Sequence, residues 1–307
     1  MKKTDNRFHF EWDQRYMRAA KIVASWSKDP STQCGAVIVR PDKTISSAGF
    51  NGLPRGMADH LERYEDRSFK YPHIIHSEWN SLSSSHDASL HECSVYAWPM
   101  PPCHECTGFL LQKKISRIVC PIPTPDKLER WRSSFEYARN ISKKRNIIYD
   151  EQSLVDDNIR IIKTVRDDKW IGRFLTLAHE VHLWSKDKVS PRGAVIVRED
   201  KTISSLGFNG FAQGVDDTPL LSGNSQERTM GVIPAELNAL LFSQDAVLSG
   251  MTVYSWPSRP PLRSVVHLVH EGVKNFVCPR TEDCVDLPLI QKVLLEVGGS
   301  LIEVDVI

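Results

Sequence analysis

The chain carries an internal repeat. The segment CGAVIVR at residues 34–40 recurs as RGAVIVR at residues 192–198, and DKTISS, which begins at Asp42, recurs at the same spacing of 158 residues. Tryptophans, glycines and a Cys-Pro pair keep this spacing without a gap over most of each half. A repeat of this length corresponds to a whole domain and is far longer than the unit of a solenoid. We therefore predict two tandem copies of one domain, residues 1–155 and 156–307.

Within the first copy, short β-branched strands alternate with helical segments. Residues 11–27 have apolar side chains at helical spacing, whereas residues 53–71 show no regular pattern. The other elements expected are strands at 35–40, 44–49, 94–98, 115–120 and 146–149 and helices near His76, from Cys103 and within 127–144. This alternation predicts an α/β fold in which helices cover both faces of one sheet.

The composition narrows the class of protein. Hydrophobic residues make up 41% of the chain and charged residues 25%, which allows each copy a buried core. The formal net charge is +1 and there is no long basic run, which argues against a general nucleic-acid-binding surface. No run of about 18 apolar residues occurs, so we expect a cytoplasmic protein without membrane contact. Among the seven cysteines, we expect Cys34, Cys93, Cys120 and Cys278 to be buried thiols, whereas Cys284 has no evident role.

Two motifs in the first copy combine nitrogen, sulfur and carboxylate groups. His76 and Glu78 belong to KYPHIIHSEW, and Cys103 and Cys106 follow a proline in PPCHEC. A catalytic zinc site has three nitrogen or sulfur ligands and leaves a fourth position to water. We predict one Zn²⁺ per chain, bound by the histidine and both cysteines, with Glu78 as the proton shuttle.

The spacing of these residues is typical of one enzyme class. A C-x-x-C pair alone would equally suit a redox pair or half of a structural zinc site. With H-x-E upstream and a proline before the first cysteine, the pattern is the known signature of zinc nucleobase deaminases. The catalytic interpretation is therefore preferred.

The second copy keeps the framework of the first but not its ligand residues. At the same spacing, the counterparts of His76, Cys103, Cys106 and Glu78 are Pro234, Pro261, Ser264 and Glu236. Proline has no group that binds zinc, so we predict a pseudo-catalytic second domain. We interpret its surviving carboxylate as an acidic residue in the first turn of a helix, where the helix dipole favours negative charge.

The first copy resembles the cytidine and deoxycytidylate (dCMP) deaminase family, and the dCMP deaminases most closely. The resemblance rests on SKDPSTQCGAVIV (27–39), GFNGLPRG (49–56), KYPHIIHSEWNSL (70–82) and PPCHEC (101–106). It implies two cytidine-deaminase-like α/β/α domains, each with three layers around a mixed sheet. It also implies hydrolysis of a cytosine nucleotide, dCMP above all, to the uracil nucleotide and ammonia. The serine at position 77, usually alanine in the family, and the tandem arrangement depart from the ordinary single-domain enzyme.

The resemblance also suggests residues that contact the substrate. Asn51 lies where the family has an asparagine that bonds the sugar hydroxyl, although an asparagine beside glycine is also common in turns. Ser77 carries its backbone into the base pocket, and its hydroxyl either bonds the pyrimidine or faces the helix. A candidate phosphate loop consists of Ser27, Lys28, Ser31 and Thr32. Hydroxyls and an ammonium suit a phosphate, but the polar end of a helix has the same composition.

Two other functions stay open. In the first, the protein is still a deaminase but has a different substrate. That substrate is another base, nucleoside or nucleotide, including a triphosphate, or an unpaired base in a nucleic-acid strand. The candidate residues for binding such a strand are basic and aromatic: Arg55, Arg63, Tyr64, Arg67, Phe69, Lys70 and Tyr71. Acidic residues interrupt this patch, which favours a solvated loop. Alternatively, the protein is a nucleotide-binding scaffold with a structural zinc, and the lack of a well-placed fourth ligand argues against that.

The resemblance further implies regulation and assembly. The stretch GFNG, which begins at Gly49 and recurs at Gly207, is associated in dCMP deaminases with a regulatory nucleoside triphosphate. This implies dCTP or dTTP as an effector, whereas a glycine-rich turn needed for folding explains the recurrence equally well. A homo-oligomer is also implied, and the expected partners are small cytosine nucleotides rather than nucleic acid or membrane.

Overall fold

The chain divides into two compact units, Met1–Ile159 (unit 1) and Arg160–Ile307 (unit 2). The computed structural model describes the backbone of residues 4–8 and all atoms of residues 9–156, 158–166, 168–212, 215, 231–282 and 286–307. Cys284 lies outside these residues. Within the described ranges, no helix combines the length and the apolar composition that crossing a membrane requires.

Unit 1 is an α/β structure around one mixed sheet. Its elements are α1 (Thr4–Ala24), β1 (Gly35–Val39), β2 (Ile45–Phe50), α2 (Leu61–Glu65), α3 (Arg67–His73), α4 (Ser77–Ser84), β3 (Ser94–Trp98), α5 (His104–Gln112), β4 (Arg117–Pro121), α6 (Pro125–Lys144) and β5 (Ile148–Gln152). The strand order is β2-β1-β3-β4-β5. Strand β1 is antiparallel to both its neighbours, and β3, β4 and β5 run parallel.

Helices cover both faces of this sheet. A Cβ on Gly35 would lie 2.2 Å from the carbonyl oxygen of Ala20, so α1 packs directly on that face of β1. A Cβ on Gly49 would lie 2.3 Å from the backbone nitrogen of Ser81, so α4 packs just as closely on β2. Gly49 pairs with Ala36, whose side chain is opposite to that of its neighbour Gly35 because strand residues alternate. The two helices therefore lie on opposite faces, which gives the three predicted layers.

Unit 2 repeats this order. Its elements are α7 (Lys169–His182), β6 (Gly193–Val197), β7 (Ile203–Phe208), α8 (Ala235–Phe242), β8 (Thr252–Trp256), α9 (Leu262–His270), β9 (Asn275–Pro279), α10 (Leu287–Val297) and β10 (Ser300–Val304). The sheet order is β10-β9-β8-β6-β7. Its two close glycine contacts recur at Gly193 against α7 and Gly207 against α8. The predicted α/β fold with mixed sheets in tandem domains is confirmed.

The structure corrects one expectation and shows where the repeat spacing ends. Residues 53–71, expected to be irregular, contain α2 and most of α3. Both helices are short, and Pro72 lies inside α3, so the apolar period that marks a longer helix is missing. The spacing of 158 residues also ends after β9. Helix α10 has 11 residues where α6 has 20, which shortens the last part of unit 2.

Candidate metal centre and catalytic cavity

Two helix starts bring three zinc-ligand side chains together. His76 is the extended residue before α4, and Cys103 is the extended residue before α5. Cys106 lies in the first turn of α5, and its backbone N–H donates to the Cys103 sulfur at 3.4 Å. Residues three apart in such a turn lie on the same side of the helix. Both sulfurs therefore face the imidazole.

The spacing of these atoms suits a tetrahedral zinc ion. His76 Nδ1 lies 3.5 Å from the Cys103 sulfur and 3.3 Å from the Cys106 sulfur. Zinc bonds of ~2.3 Å to sulfur and ~2.0 Å to nitrogen at tetrahedral angles imply a nitrogen–sulfur separation of about 3.5 Å. All three donor atoms lie within 4.8 Å of one another. In the described residues this is the one His, Cys, Asp and Glu group that meets this geometry.

Hydrogen bonds among the His76 imidazole and the two cysteine sulfurs shift the pKa values of all three groups. Hydrogen bonding from Cys106, and also from His76, lowers the pKa of Cys103 to about 4. The same contact between the sulfurs, together with burial, raises the pKa of Cys106. The hydrogen bond to Cys103 raises the pKa of His76 to about 9. Bound zinc requires thiolates and a neutral imidazole, so a divalent cation replaces these protons.

Glu78 lies beside this cluster in the first turn of α4. Only 7% of the residue is exposed, and burial raises the pKa of its carboxyl group. The Ser77 hydroxyl donates to Glu78 Oε2 at 3.1 Å and is itself buried. This bond to the carboxylate was not among the contacts expected for Ser77, and a contact between the hydroxyl and the pyrimidine stays a prediction. A buried carboxyl with a raised pKa is suited to accepting and returning a proton.

A cavity of about 140 Å³ opens onto these groups. Its lining includes His76, Glu78 and Cys103, and also Ser31 and Thr32 from the loop after α1. Helices α3 and α6 supply further walls. The site therefore has a buried acid–base group, a metal-ligand cluster and an adjoining space for a small molecule.

Asn51 also lines the cavity, but its amide is engaged with the protein. Asn51 Oδ1 accepts the Cys34 N–H at 2.7 Å, and Nδ2 donates to Asp29 at 3.2 Å and to the Thr32 carbonyl at 3.0 Å. Asn209 makes the same three types of contact in unit 2. Both amide protons are used, so one lone pair on Oδ1 is left for a sugar hydroxyl.

Of the four residues in the predicted phosphate loop, two line the cavity and two do not. The buried Ser27 hydroxyl donates to the Asn51 carbonyl at 2.8 Å, and Lys28 pairs with Asp59 at 2.7 Å. Neither residue lines the cavity, whereas Ser31 and Thr32 do. Their amides bond the side chain of Asp29 in a tight turn.

Several lining residues were not anticipated from the sequence. Cys34 lines the cavity. The sequence signal for it is that the repeated segment differs between the two copies only at this position, where the second copy has Arg192. Arg130, Trp131 and Phe135 reach the cavity from α6, whose sequence carries no motif. Their contribution depends on how α6 folds back, which residue spacing does not indicate.

The patch considered for a nucleic-acid strand is largely used within unit 1. Tyr64 is buried and its hydroxyl donates to Asp59 at 2.5 Å. Phe69 stacks on His73 at 4.2 Å between ring centroids, and Lys70 is buried. A row of exposed aromatic rings for stacking bases is therefore absent among these described residues.

In unit 2, an arginine pairs with the carboxylate that corresponds to Glu78, and it also lines a cavity of about 180 Å³. The Arg192 guanidinium lies 3.4 Å from Glu236 Oε1 and donates to the carbonyls of Ser258 and Arg259. Ser264, which stands where unit 1 has Cys106, donates to Glu236 Oε2 at 3.3 Å. Glu236 is fully buried, so it is more than the acidic first-turn residue that the sequence suggested.

Parts of the chain are similar to known proteins. Residues 10–122 match the family model described as the cytidine and deoxycytidylate deaminase zinc-binding region. The chain is 34% identical over 137 residues to an uncharacterized deaminase in the luxG 3′ region of Aliivibrio fischeri, which covers 45% of this chain and 90% of that protein. It is 35% identical over 123 residues to the deoxycytidylate deaminase of Mus musculus, and this match covers 38% of this chain and 67% of the mouse protein. A crystal structure of dCMP deaminase from cyanophage S-TIM5 aligns with 50% of this chain and 100% of its own, at 18% identity and a TM-score of 0.37.

The fold, the site and the sequence similarity define a zinc-dependent hydrolytic deaminase that acts on C–N bonds. The chain belongs to the cytidine and deoxycytidylate deaminase family. Its cofactor is Zn²⁺, bound within the first unit.

Proposed function

We propose that the protein hydrolyses dCMP to dUMP and ammonia in unit 1, and that unit 2 is a degenerate partner domain. The observation that carries this proposal is the buried Glu78 carboxyl between the His76, Cys103 and Cys106 cluster and a small cavity. The named dCMP deaminases among the relatives favour this substrate over other cytosine compounds. A cytoplasmic location and assembly into a homo-oligomer remain predictions.

The proposed roles follow from the chemistry of each group. His76, Cys103 and Cys106 would hold the zinc ion, which would lower the pKa of a water molecule from ~15.7 to roughly 7. Glu78 accepts a proton from the water that attacks C4 and donates it to N3 of the cytosine ring. It then takes the remaining proton of the new C4 hydroxyl and delivers it to the amino group, so that the C4–N bond breaks, ammonia leaves and the C4 carbonyl forms. Its burial beside the cavity keeps this carboxyl within reach of the ring and away from bulk water. The Ser77 hydroxyl orients the carboxylate through its hydrogen bond.

The two copies of the GFNG stretch bear on regulation. Asn51 and Asn209 make equivalent contacts in their own units, which supports a structural role for the stretch. An effect of dCTP or dTTP on activity therefore remains a proposal. Assaying dCMP turnover with and without each triphosphate tests it, and unchanged rates would remove it.

The main experiment measures ammonia release by zinc-loaded protein. The compounds offered are dCMP, dCTP, deoxycytidine, cytosine and a deoxycytidine-containing oligonucleotide, with Glu78→Ala as the inactive control. Preferred turnover of dCMP supports the proposal. Preferred turnover of another compound changes the substrate, and zinc binding without any turnover favours the scaffold function.

A further inference from the structure

The catalytic cavity has cationic side chains that differ in their partners. Lys70 lies 2.6 Å from Asp29 Oδ2 and 2.7 Å from Oδ1, and both residues are buried. Its ammonium charge is therefore neutralised by a carboxylate that is held in place by the surrounding loop. Arg67 and Arg130 also line the cavity, and no carboxylate pairs with either of them among the described residues.

Arg130 is held by aromatic rings instead of by an acid. Its guanidinium donates to the Tyr71 hydroxyl and lies 5.9 Å from the centroid of the Tyr71 ring and 5.4 Å from that of Trp131. The two rings meet edge to face at 6.5 Å. Aromatic contacts restrict the plane of a guanidinium but leave most of its five N–H donors unused. Arg130 is thus an oriented cation at a cavity wall.

The position of this cation suits an anionic part of the substrate. Glu78 and the ligand residues His76 and Cys103 line the same cavity as Arg130, which reaches it from α6. A guanidinium fork matches the oxygens of a phosphate and forms charge-assisted hydrogen bonds with them. Lys28, which the sequence suggested for this contact, pairs with Asp59 outside the cavity lining.

We propose that Arg130 binds the 5′-phosphate of the nucleotide and so makes unit 1 selective for nucleotides over nucleosides. Tyr71 and Trp131 act as positioning residues that hold the guanidinium towards the cavity. This inference rests on the proposed function, because it assumes that the cytosine compound carries a phosphate.

The test compares dCMP with deoxycytidine in Arg130→Ala and in Arg132→Ala. Arg132 is the matched control, since it lies on the same helix, is exposed and is outside the cavity lining. We expect Arg130→Ala to lower kcat/KM for dCMP by about 10- to 100-fold, the loss of one or two charge-assisted hydrogen bonds. Deoxycytidine turnover should stay within about twofold, and Arg132→Ala should change neither substrate. Equilibrium binding of dUMP, followed by calorimetry, should weaken by the same factor as dCMP turnover.

The outcomes separate the two proposals. If the wild-type protein deaminates no dCMP, the proposed function fails. If it deaminates dCMP and Arg130→Ala behaves like the Arg132 control, only the role of Arg130 fails. Equal losses for dCMP and deoxycytidine in Arg130→Ala would show a structural effect and would also overturn that role. A loss for dCMP in Arg67→Ala without one in Arg130→Ala would assign the phosphate to the other guanidinium.

Discussion

Units 1 and 2 share one framework, and each buries a glutamate at the equivalent position, but the surroundings of the two carboxylates differ. Glu78 and Glu236 both lie in the first turn of a helix, and both are buried. Glu78 faces a cavity and a cluster of metal ligands. Glu236 faces the guanidinium of Arg192. The carboxylate of unit 1 therefore lines a cavity, whereas the cavity of unit 2 is lined by Arg192 and leaves Glu236 out of its lining.

The difference shows how a buried carboxylate is stabilised in a unit that has no zinc ligands at the corresponding positions. A buried carboxylate without a partner is costly, so it needs a proton, a metal nearby or a counter-charge. In unit 2, prolines replace the histidine and the first cysteine, and Arg192 supplies the positive charge from the position of Cys34. The arginine thus supplies the counter-charge in the unit whose ligand positions are occupied by two prolines and a serine.

The largest expected effect breaks the comparison at the carboxylates. Glu78→Gln should lower deamination by about 10³-fold, because general acid–base catalysis requires an ionisable group. The matched control is Glu236→Gln, which should leave the rate unchanged because, among the residues that the structure describes, the metal-ligand cluster lies in unit 1. Zinc content, measured by atomic absorption, should stay at one per chain in both variants. A rate that survives in Glu78→Gln would move the proton transfer to another residue.

A second substitution transfers the arginine of unit 2 into unit 1. Cys34→Arg should lower dCMP turnover by at least about 100-fold, since the guanidinium would occupy the cavity beside Glu78 and displace the substrate. Cys34→Ala only shortens the side chain and should lose less than about tenfold. Circular dichroism checks that both variants fold. Full activity in Cys34→Arg would mean that this position does not decide whether the cavity is open.

A third substitution tests the counter-charge in unit 2. Arg192→Ala should destabilise this unit by about 3 kcal/mol, because it leaves Glu236 buried and unpaired. Hydrogen–deuterium exchange of unit 2 peptides in increasing urea measures the change. Arg280→Ala is the control in the same unit, since its ion pair with Asp305 is exposed and should contribute less than about 1 kcal/mol. Adding Glu236→Gln to Arg192→Ala should recover part of the loss, and no recovery would contradict the pairing.

The smallest expected effect concerns an ion cluster in unit 1 that unit 2 lacks. Burial disfavours the Asp13 carboxylate, but hydrogen bonds from Arg117, Gln152 and Tyr96 outweigh it and lower its pKa. At the spacing of 158 residues, the counterparts of Asp13 and Arg117 are Ile171 and Asn275. Asp13→Asn should therefore destabilise unit 1 by about 2 kcal/mol at neutral pH.

The pH dependence of this effect follows from the direction of the shift. A carboxyl whose folded-state pKa is lowered contributes stability above its unfolded pKa of ~3.9 and loses it as the pH falls through the folded value. The difference between wild type and Asp13→Asn should thus be constant from pH 7 to about pH 5 and shrink in more acidic solution. Urea unfolding at each pH, with the exposed Glu136→Gln as control, measures it. A difference that grows towards acid would contradict the direction of the pKa shift.

Elements with strong local signals were predicted from the sequence. The strand at 94–98 was predicted with the bounds that the structure has, and the apolar face of α1 is buried as its spacing indicates. The approach of His76 to Cys103 and Cys106 was also anticipated, because helix starts after strands of one sheet meet at one edge. Elements with weak periodicity, such as α2 and α3, were missed for the reason that they are too short to show one.

The sequence by itself determined the tandem α/β organisation, the family and the set of residues that can bind zinc, because these depend on residue types and on spacing along the chain. Only the tertiary structure decided that Asn51 is held by Asp29 and Thr32, that Lys28 lies outside the cavity and that Arg130 lines it. It also decided that Arg192 pairs with Glu236. These contacts join residues far apart in the chain, and they depend on where a side chain points and what already bonds it. Neither property can be read from a local pattern.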